Sequence, residues 1–192
     1  MAGDFALRAR IDTAVGGVAG AVSSGDALPA RLRGAIVEGT ADVALTALQL
    51  PLRILDVGCG AGELLHEMVV RVPYGEAFVG VDADPSALAA ARSIADPRME
   101  FRLAPPESLP FDDASFDLVV AAAGVLTWRD PAAGLAELGR VVSDTGRVVV
   151  AERARAGKTV RELLRRAGLT NERDETVVRL GLPIVRAFIA FP

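Results

Sequence analysis

Short, almost uninterrupted apolar runs alternate with segments of helical spacing from Arg53 to Phe191, and this alternation constrains the fold more than any other feature. The runs are residues 53–57, 77–81, 99–103, 116–121 and 146–151. Each is too short for a buried helix, and most are near-continuous apolar runs, so they read as strands covered on both faces of a parallel sheet. Between them, residues 64–70, 85–92, 131–141 and 159–167 have helical spacing. Pro85 and Pro131 open two of these helices at a position where proline loses no hydrogen bond, and Gly168 closes another. Ahead of the first strand, Leu32, Ile36, Val43 and Ala47 give residues 30–49 a helical stripe that Pro51 ends. Two strands finish the chain, near 176–180 and 184–191, with residues 181–183 between them. So short a link cannot make a parallel crossover, so this last pair is antiparallel.

The chain of 192 residues suits one domain, expected to be a core over 51–192 with a helical arm or lid over 1–50. At 51% apolar and 24% charged it buries a core and is not a disordered chain. No apolar run approaches the roughly 18 residues of a membrane span. The start lacks a basic region followed by an apolar block, and Cys59 is the single cysteine, so no internal disulfide forms and a cytoplasmic location is expected. A net charge of −4 with no aromatic-basic stripe argues against nucleic acid as a partner. Arginine outnumbers lysine, of which Lys158 is the sole example, and this points to a GC-rich bacterial genome.

The first strand runs into Asp56-Val-Gly58-Cys-Gly60-Ala-Gly62. Glycines at every second position permit a tight turn and close approach of a ligand to the backbone. In an open α/β sheet, ligands lie beyond the carboxyl ends of the strands. The G-x-G-x-x-G fingerprint of dinucleotides fits from Gly58 only until it meets Glu63, an acid at a helix N-terminus that repels a pyrophosphate. Twenty residues after Gly62, Asp82 ends the second strand, placed to take the two hydroxyls of a ribose. The pattern asks for a nucleoside with a cationic, phosphate-free tail, and S-adenosylmethionine (SAM) answers it.

From about Leu52 onward the chain resembles the class I SAM-dependent methyltransferases that act on small molecules. Ile54-Leu-Asp-Val-Gly-Cys-Gly-Ala-Gly-Glu63 resembles that family's first motif, Gly80-Val-Asp-Ala-Asp-Pro85 its second, and Glu107-Ser-Leu-Pro-Phe-Asp-Asp-Ala-Ser-Phe-Asp117 the approach to strand four. The resemblance implies a doubly wound, mostly parallel seven-stranded α/β sheet of order 3-2-1-4-5-7-6 with an antiparallel last strand. It implies that Asp56 organises the loop, that Gly58, Cys59 and Gly60 pass the methionine part, and that Gly62 opens the helix. Asp82 would bind the ribose and Ala83 one face of the adenine. The carbonyls near Ala121 and Ala122 would meet the cofactor's amino group. No metal is implied.

The chain departs from the family where Gly-Asp-Ala is usual and Ala104-Pro105-Pro106 stands. Pro105 supplies no carboxylate for the adenine amino group and Pro106 no N–H for the ring, with a local alignment slip, water or Arg102 as the alternatives. Loop 121–130 carries Thr127 and Trp128 as pocket candidates and no His, Tyr, Cys or Lys. His66 reads as a helix residue, Tyr74 falls at the far end of the sheet, and Cys59 is a small loop residue. Methyl transfer to a small, fairly apolar molecule then proceeds by proximity, with S-adenosylhomocysteine as product. The rival keeps the fold and binds a ligand or partner, or runs a non-methylating reaction such as a cyclisation. A homodimer is left open, and a nicotinamide oxidoreductase is opposed by Glu63.

Overall fold

In the computed structural model, residues 38–42, 44, 52–122, 124–180 and 182–192 are described. Of the expected arm over residues 1–50, with its helix over 30–49, only 38–42 and 44 fall among them. Residues 38–42 and 44 are helical, and Ala41 and Ala44 are fully buried. Then follow β1 (Arg53–Val57), α1 (Glu63–Arg71), β2 (Ala77–Asp82), α2 (Pro85–Ser93), β3 (Met99–Leu103) and β4 (Phe116–Ala122). After one 3-10 turn, Val125–Thr127, come α3 (Pro131–Val141), β5 (Val142–Arg153), α4 (Gly157–Arg166), β6 (Thr170–Leu180) and β7 (Leu182–Phe191).

The seven strands form one sheet in the order β3-β2-β1-β4-β5-β7-β6. The first five pair in parallel, and β7 runs antiparallel to both β5 and β6. Alternation along each strand divides the core. Ile54, Phe78, Leu118, Val120 and Ile189 face α1 and α2 with Leu65, Met68 and Leu88. Leu55, Val81, Val119, Val150 and Phe188 face α3 and α4 with Leu135, Leu138, Val160 and Leu164. The same alternation turns Asp56 toward the α1 side. At the amino end of the sheet, Arg53 grips Asp117 through its backbone N–H (2.9 Å), Nε (3.2 Å) and a terminal nitrogen (2.9 Å), tying β1 to β4.

The largest departures from the sequence reading lie in β5 and β6. β5 begins at Val142, because Gly146 lets residues 143–146 loop out; a Cβ there would stand 2.8 Å from the Asp117 carbonyl oxygen. Regular pairing with β4 starts at Arg147. β6 begins at Thr170 rather than 176, and β7 begins at Leu182 rather than 184, with Leu180 opposite Leu182. The polar stretch 170–175 holds its strand through ion pairs, Arg173 with Glu175 (2.8 Å) and Asp174 with Arg161 (2.5 Å). Only Ala154–Ala156 separate β5 from α4, so no covering insertion stands there.

Candidate functional site

The glycine loop turns back on β2 as soon as β1 ends. The N–H groups of Gly58 (2.7 Å) and Cys59 (3.0 Å) both donate to the Val81 carbonyl. Gly58, Gly60 and Gly62 take φ of 74°, 54° and 79°, a region that costs an ordinary residue roughly 1–2 kcal/mol. Gly60 has open space around it, so its requirement is conformational. Gly62 is required twice, since a Cβ there would lie 3.1 Å from Phe101 and 3.2 Å from Ala91. The Gly62 carbonyl then accepts the His66 N–H (2.9 Å) and α1 begins.

Asp82, at the end of β2, latches this loop. One carboxylate oxygen accepts the Gly60 N–H (2.8 Å) and the other the Asp84 N–H (2.9 Å). Each oxygen has a second lone pair, so the carboxylate retains acceptors for a ligand. Capping of α2 falls to Asp84, whose side chain accepts the Ser86 N–H (2.8 Å) beneath Pro85. Asp56 is 1% exposed, and its Oδ2 has no hydrogen-bond partner. Burial, and then the charge of Asp82, pushes its carboxyl up to about 7. Burial pushes the Cys59 thiol up as well, so the thiolate a nucleophile requires is suppressed.

Asp82, Ala83, Val57 and Gly58 border a cavity of about 220 Å³, closed on its other sides by Ala104, Pro106, Gly124, Thr127 and Trp128. That is less than the roughly 300 Å³ at which small-molecule pockets begin, so a larger ligand must extend over the open glycine loop. Trp128 is half-buried. Its Nε1 lies 3.8 Å from where a Gly58 Cβ would stand, and its ring lies 2.5 Å from where a Gly134 Cβ would stand. The glycine in α3 is therefore the seat of the indole. Thr127 donates its hydroxyl to the Gly124 carbonyl (2.7 Å). Ala121 and Ala122 end β4 beside this loop, Ala121 buried and Ala122 partly so.

Of the two prolines only Pro106 lines the cavity, whereas Pro105 is exposed. They open a turn closed by the Ser108 N–H on the Pro105 carbonyl (3.1 Å), with Pro106 at the position where its fixed φ suits a β-turn. Glu107, in that turn, accepts the Asp130 N–H (2.9 Å), and Asp130 caps α3 through the N–H groups of Ala132 and Ala133 (both 3.1 Å). Arg102 does not take the missing place. Its Nε binds Glu100 (2.6 Å) and its guanidinium lies 4.8 Å from the Phe111 ring centre.

The structure thus brings Asp82, Ala83, Gly58, Thr127 and Trp128 together around one cavity, with Gly60 on the Asp82 latch and Gly62 at the helix. Asp56 and Cys59 are buried beside it, and Ala121 and Ala122 stand behind the loop. His66 is exposed on α1, and Tyr74, 77% exposed, precedes β2 at the other end of the sheet. Glu152 went unread in the sequence. It is 7% exposed at the carboxyl end of β5 and accepts the N–H groups of Arg153 (2.9 Å) and Gly124 (3.3 Å), holding the start of the Trp128 loop. The signal was a charged residue directly continuing the apolar run 148–151.

A family model described as a methyltransferase domain matches residues 55–150. A ubiquinone/menaquinone biosynthesis C-methyltransferase of Citrifermentans bemidjiense is 34% identical over 105 residues, 52% of this chain and 45% of that protein. The chain spans about half the length of the curated relatives it matches. A SAM-dependent methyltransferase from Aquifex aeolicus shares the fold, with TM-score 0.72, 19% identity and coverage of 88% of this chain and 95% of that one. The [4+2]-cyclase SpnF matches with TM-score 0.64 and 26% identity over 71% of this chain and 58% of its own. Since the matched segment runs from within β1 through the latch and the Trp128 loop into β5, this chain belongs to the methyltransferase domain family.

Proposed function

We propose that the chain is a SAM-dependent methyltransferase acting on a small, fairly apolar molecule, with quinone-type rings of the kind named for its relatives as the first acceptors to try. The observation that carries this reading is the Asp82 carboxylate, which lines the cavity beside Ala83 while holding Gly60. The residues fit the cofactor. Asp82 keeps acceptors for two hydroxyls, and Gly60 leaves open space above the loop. The orphaned buried oxygen of Asp56 supports a cationic head nearby. Gly58, Cys59 and Gly60 would hold the methionine part, Ala83 the adenine, and Ala121 and Ala122 the amino group.

When bound, the cofactor supplies a methyl group already activated by its positive sulfur. The chain's own part is orientation and exclusion of water. Holding a nucleophile in line at about 3–3.5 Å accounts for much of such an acceleration. Trp128 and Thr127 would flank the acceptor, and Glu152 would hold the loop that carries them. An acceptor with an acidic hydroxyl on its ring requires no further base. With no insertion between β5 and α4, residues 1–50 or loop 122–130 would close the site, or a second subunit in a homodimer. No helix among the described residues is long and apolar enough to cross a membrane.

Titration calorimetry tests the reading. S-adenosylhomocysteine should bind, and Asp82→Asn, which removes the charge and leaves one neutral acceptor oxygen, should weaken it at least tenfold. Equal affinity in the two proteins overturns the assignment of Asp82. The match to a cyclase favours one second reading, in which the cofactor binds and no methyl moves. Methyl-labelled SAM separates them, since label appears in the acceptor only under the first.

A further inference from the structure

We infer that the base end of the nucleoside pocket is read by shape and not by hydrogen bonds, so that the chain accepts purine nucleoside thioethers whatever the substituent at purine position 6, with Pro106 as the determinant. This rests on the proposed function, because the base is placed by the ribose on Asp82.

Beyond Asp82 the cavity wall is Ala83, Ala104 and Pro106, none with a polar side chain. The Ala104 N–H is spent on the Asp82 carbonyl (3.1 Å), and Pro106 has no N–H. The charged side chains nearby, Glu107 and Arg102, do not line the cavity. Glu107 accepts the Asp130 N–H (2.9 Å), and Arg102 binds Glu100 (2.6 Å) and the Pro110 carbonyl (3.2 Å). The Trp128 ring lines the same cavity, with its Nε1 3.8 Å from where a Gly58 Cβ would stand.

The slot is also stiff. The Pro106 Cβ lies 3.5 Å, and the Trp128 ring 2.5 Å, from where a Gly134 Cβ would stand, so both apolar walls rest on the same turn of α3. The turn at Pro105 and the tie from Glu107 to Asp130 hold that spacing. A base edge meets this apolar wall by contact alone. A site built to hydrogen-bond a ligand edge rejects the wrong analogue by about 10⁴-fold or more, whereas an apolar one manages on the order of 10² at best against an isostere.

Replacing adenine by hypoxanthine inverts that edge, because the 6-amino donor becomes an oxo acceptor and the bare N1 gains a hydrogen. The test is calorimetry of the full chain with S-adenosylhomocysteine and with S-inosylhomocysteine. The two dissociation constants should agree within about threefold. A preference above tenfold for either overturns the inference while leaving the nucleoside reading standing. Failure of both to bind overturns the nucleoside reading and the inference together. Pro106→Ala, checked for an unchanged melting profile, returns an N–H to the wall. It should shift the ratio toward the adenosyl ligand by roughly two- to tenfold, the worth of one hydrogen bond. An unchanged ratio removes Pro106 from its role as determinant. If the variant unfolds, the comparison of the two ligands on the parent chain still decides the inference.

Discussion

Asp56 holds its carboxyl where neither water nor a partner reaches Oδ2. Burial and the nearby Asp82 charge keep it protonated until about pH 7, against an ordinary value of 3.8. Its folded value is raised, so its contribution to stability is fully present below about 3.8 and is lost as pH rises through about 7. A cationic ligand head reverses the preference, since it favours the carboxylate. SAM affinity should therefore climb from pH 6 to pH 8, by at most about tenfold per unit below 7, with a proton released on binding. Calorimetry in buffers of different ionisation enthalpy measures that proton, and Asp56→Asn should remove both effects. A flat pH profile in the parent chain counts against a cation beside Asp56. At this scale the motif letters were legible, because Gly58, Gly60, Gly62 and Asp82 act through backbone conformation and a single carboxylate. That Asp82 latches Gly60 was not legible, since it depends on how far apart two loops stand. Glu152 stayed hidden because its partners are backbone groups that leave no letter in the sequence.

Among the elements, the loop from Gly124 to Trp128 depends on helix α3 for its position. Gly134→Ala would put a Cβ 2.5 Å from the Trp128 ring, so the indole must move. The alanine itself favours the helix by up to about 1 kcal/mol, which offsets part of the roughly 1–3 kcal/mol of overpacking. The variant should stay folded, shift the emission of the chain's single tryptophan and bind S-adenosylhomocysteine at least fivefold more weakly. Unchanged emission and affinity would show that Trp128 does not form the wall. The strands β1, β2 and β4 were legible because their apolar runs are too short for helices, and β3 because Met99, Phe101 and Leu103 alternate with polar residues. β6 was not. Residues 170–175 are polar throughout and read as a loop, yet pairing with β7 and the ion pair from Asp174 to Arg161 make them a strand. Edge pairing of this kind overrides composition.

For the molecule as a whole, both packed faces followed from the alternation of apolar runs and the sheet order from the family resemblance, while the cover of the site did not, because a Cβ at Gly60 would meet nothing within 4 Å. Deleting residues 1–27 tests whether they supply it. As a lid, their loss should leave the melting temperature within a few degrees and lower ligand affinity or turnover at least tenfold. Unchanged binding and turnover would assign the cover to loop 122–130 or a second subunit. β7 comes later in the chain than β6 but lies inside it, between β6 and β5. A nascent chain that has emerged only as far as Gly181 has made β6 and has no strand for it to pair with, so that strand must wait outside the sheet. Chains ending at Gly181 should then be cut by trypsin at Arg173 under conditions where the chain extended through Phe191 survives. The last stage of folding is in that sense an insertion, and it falls after synthesis of β7 whatever the speed of the ribosome.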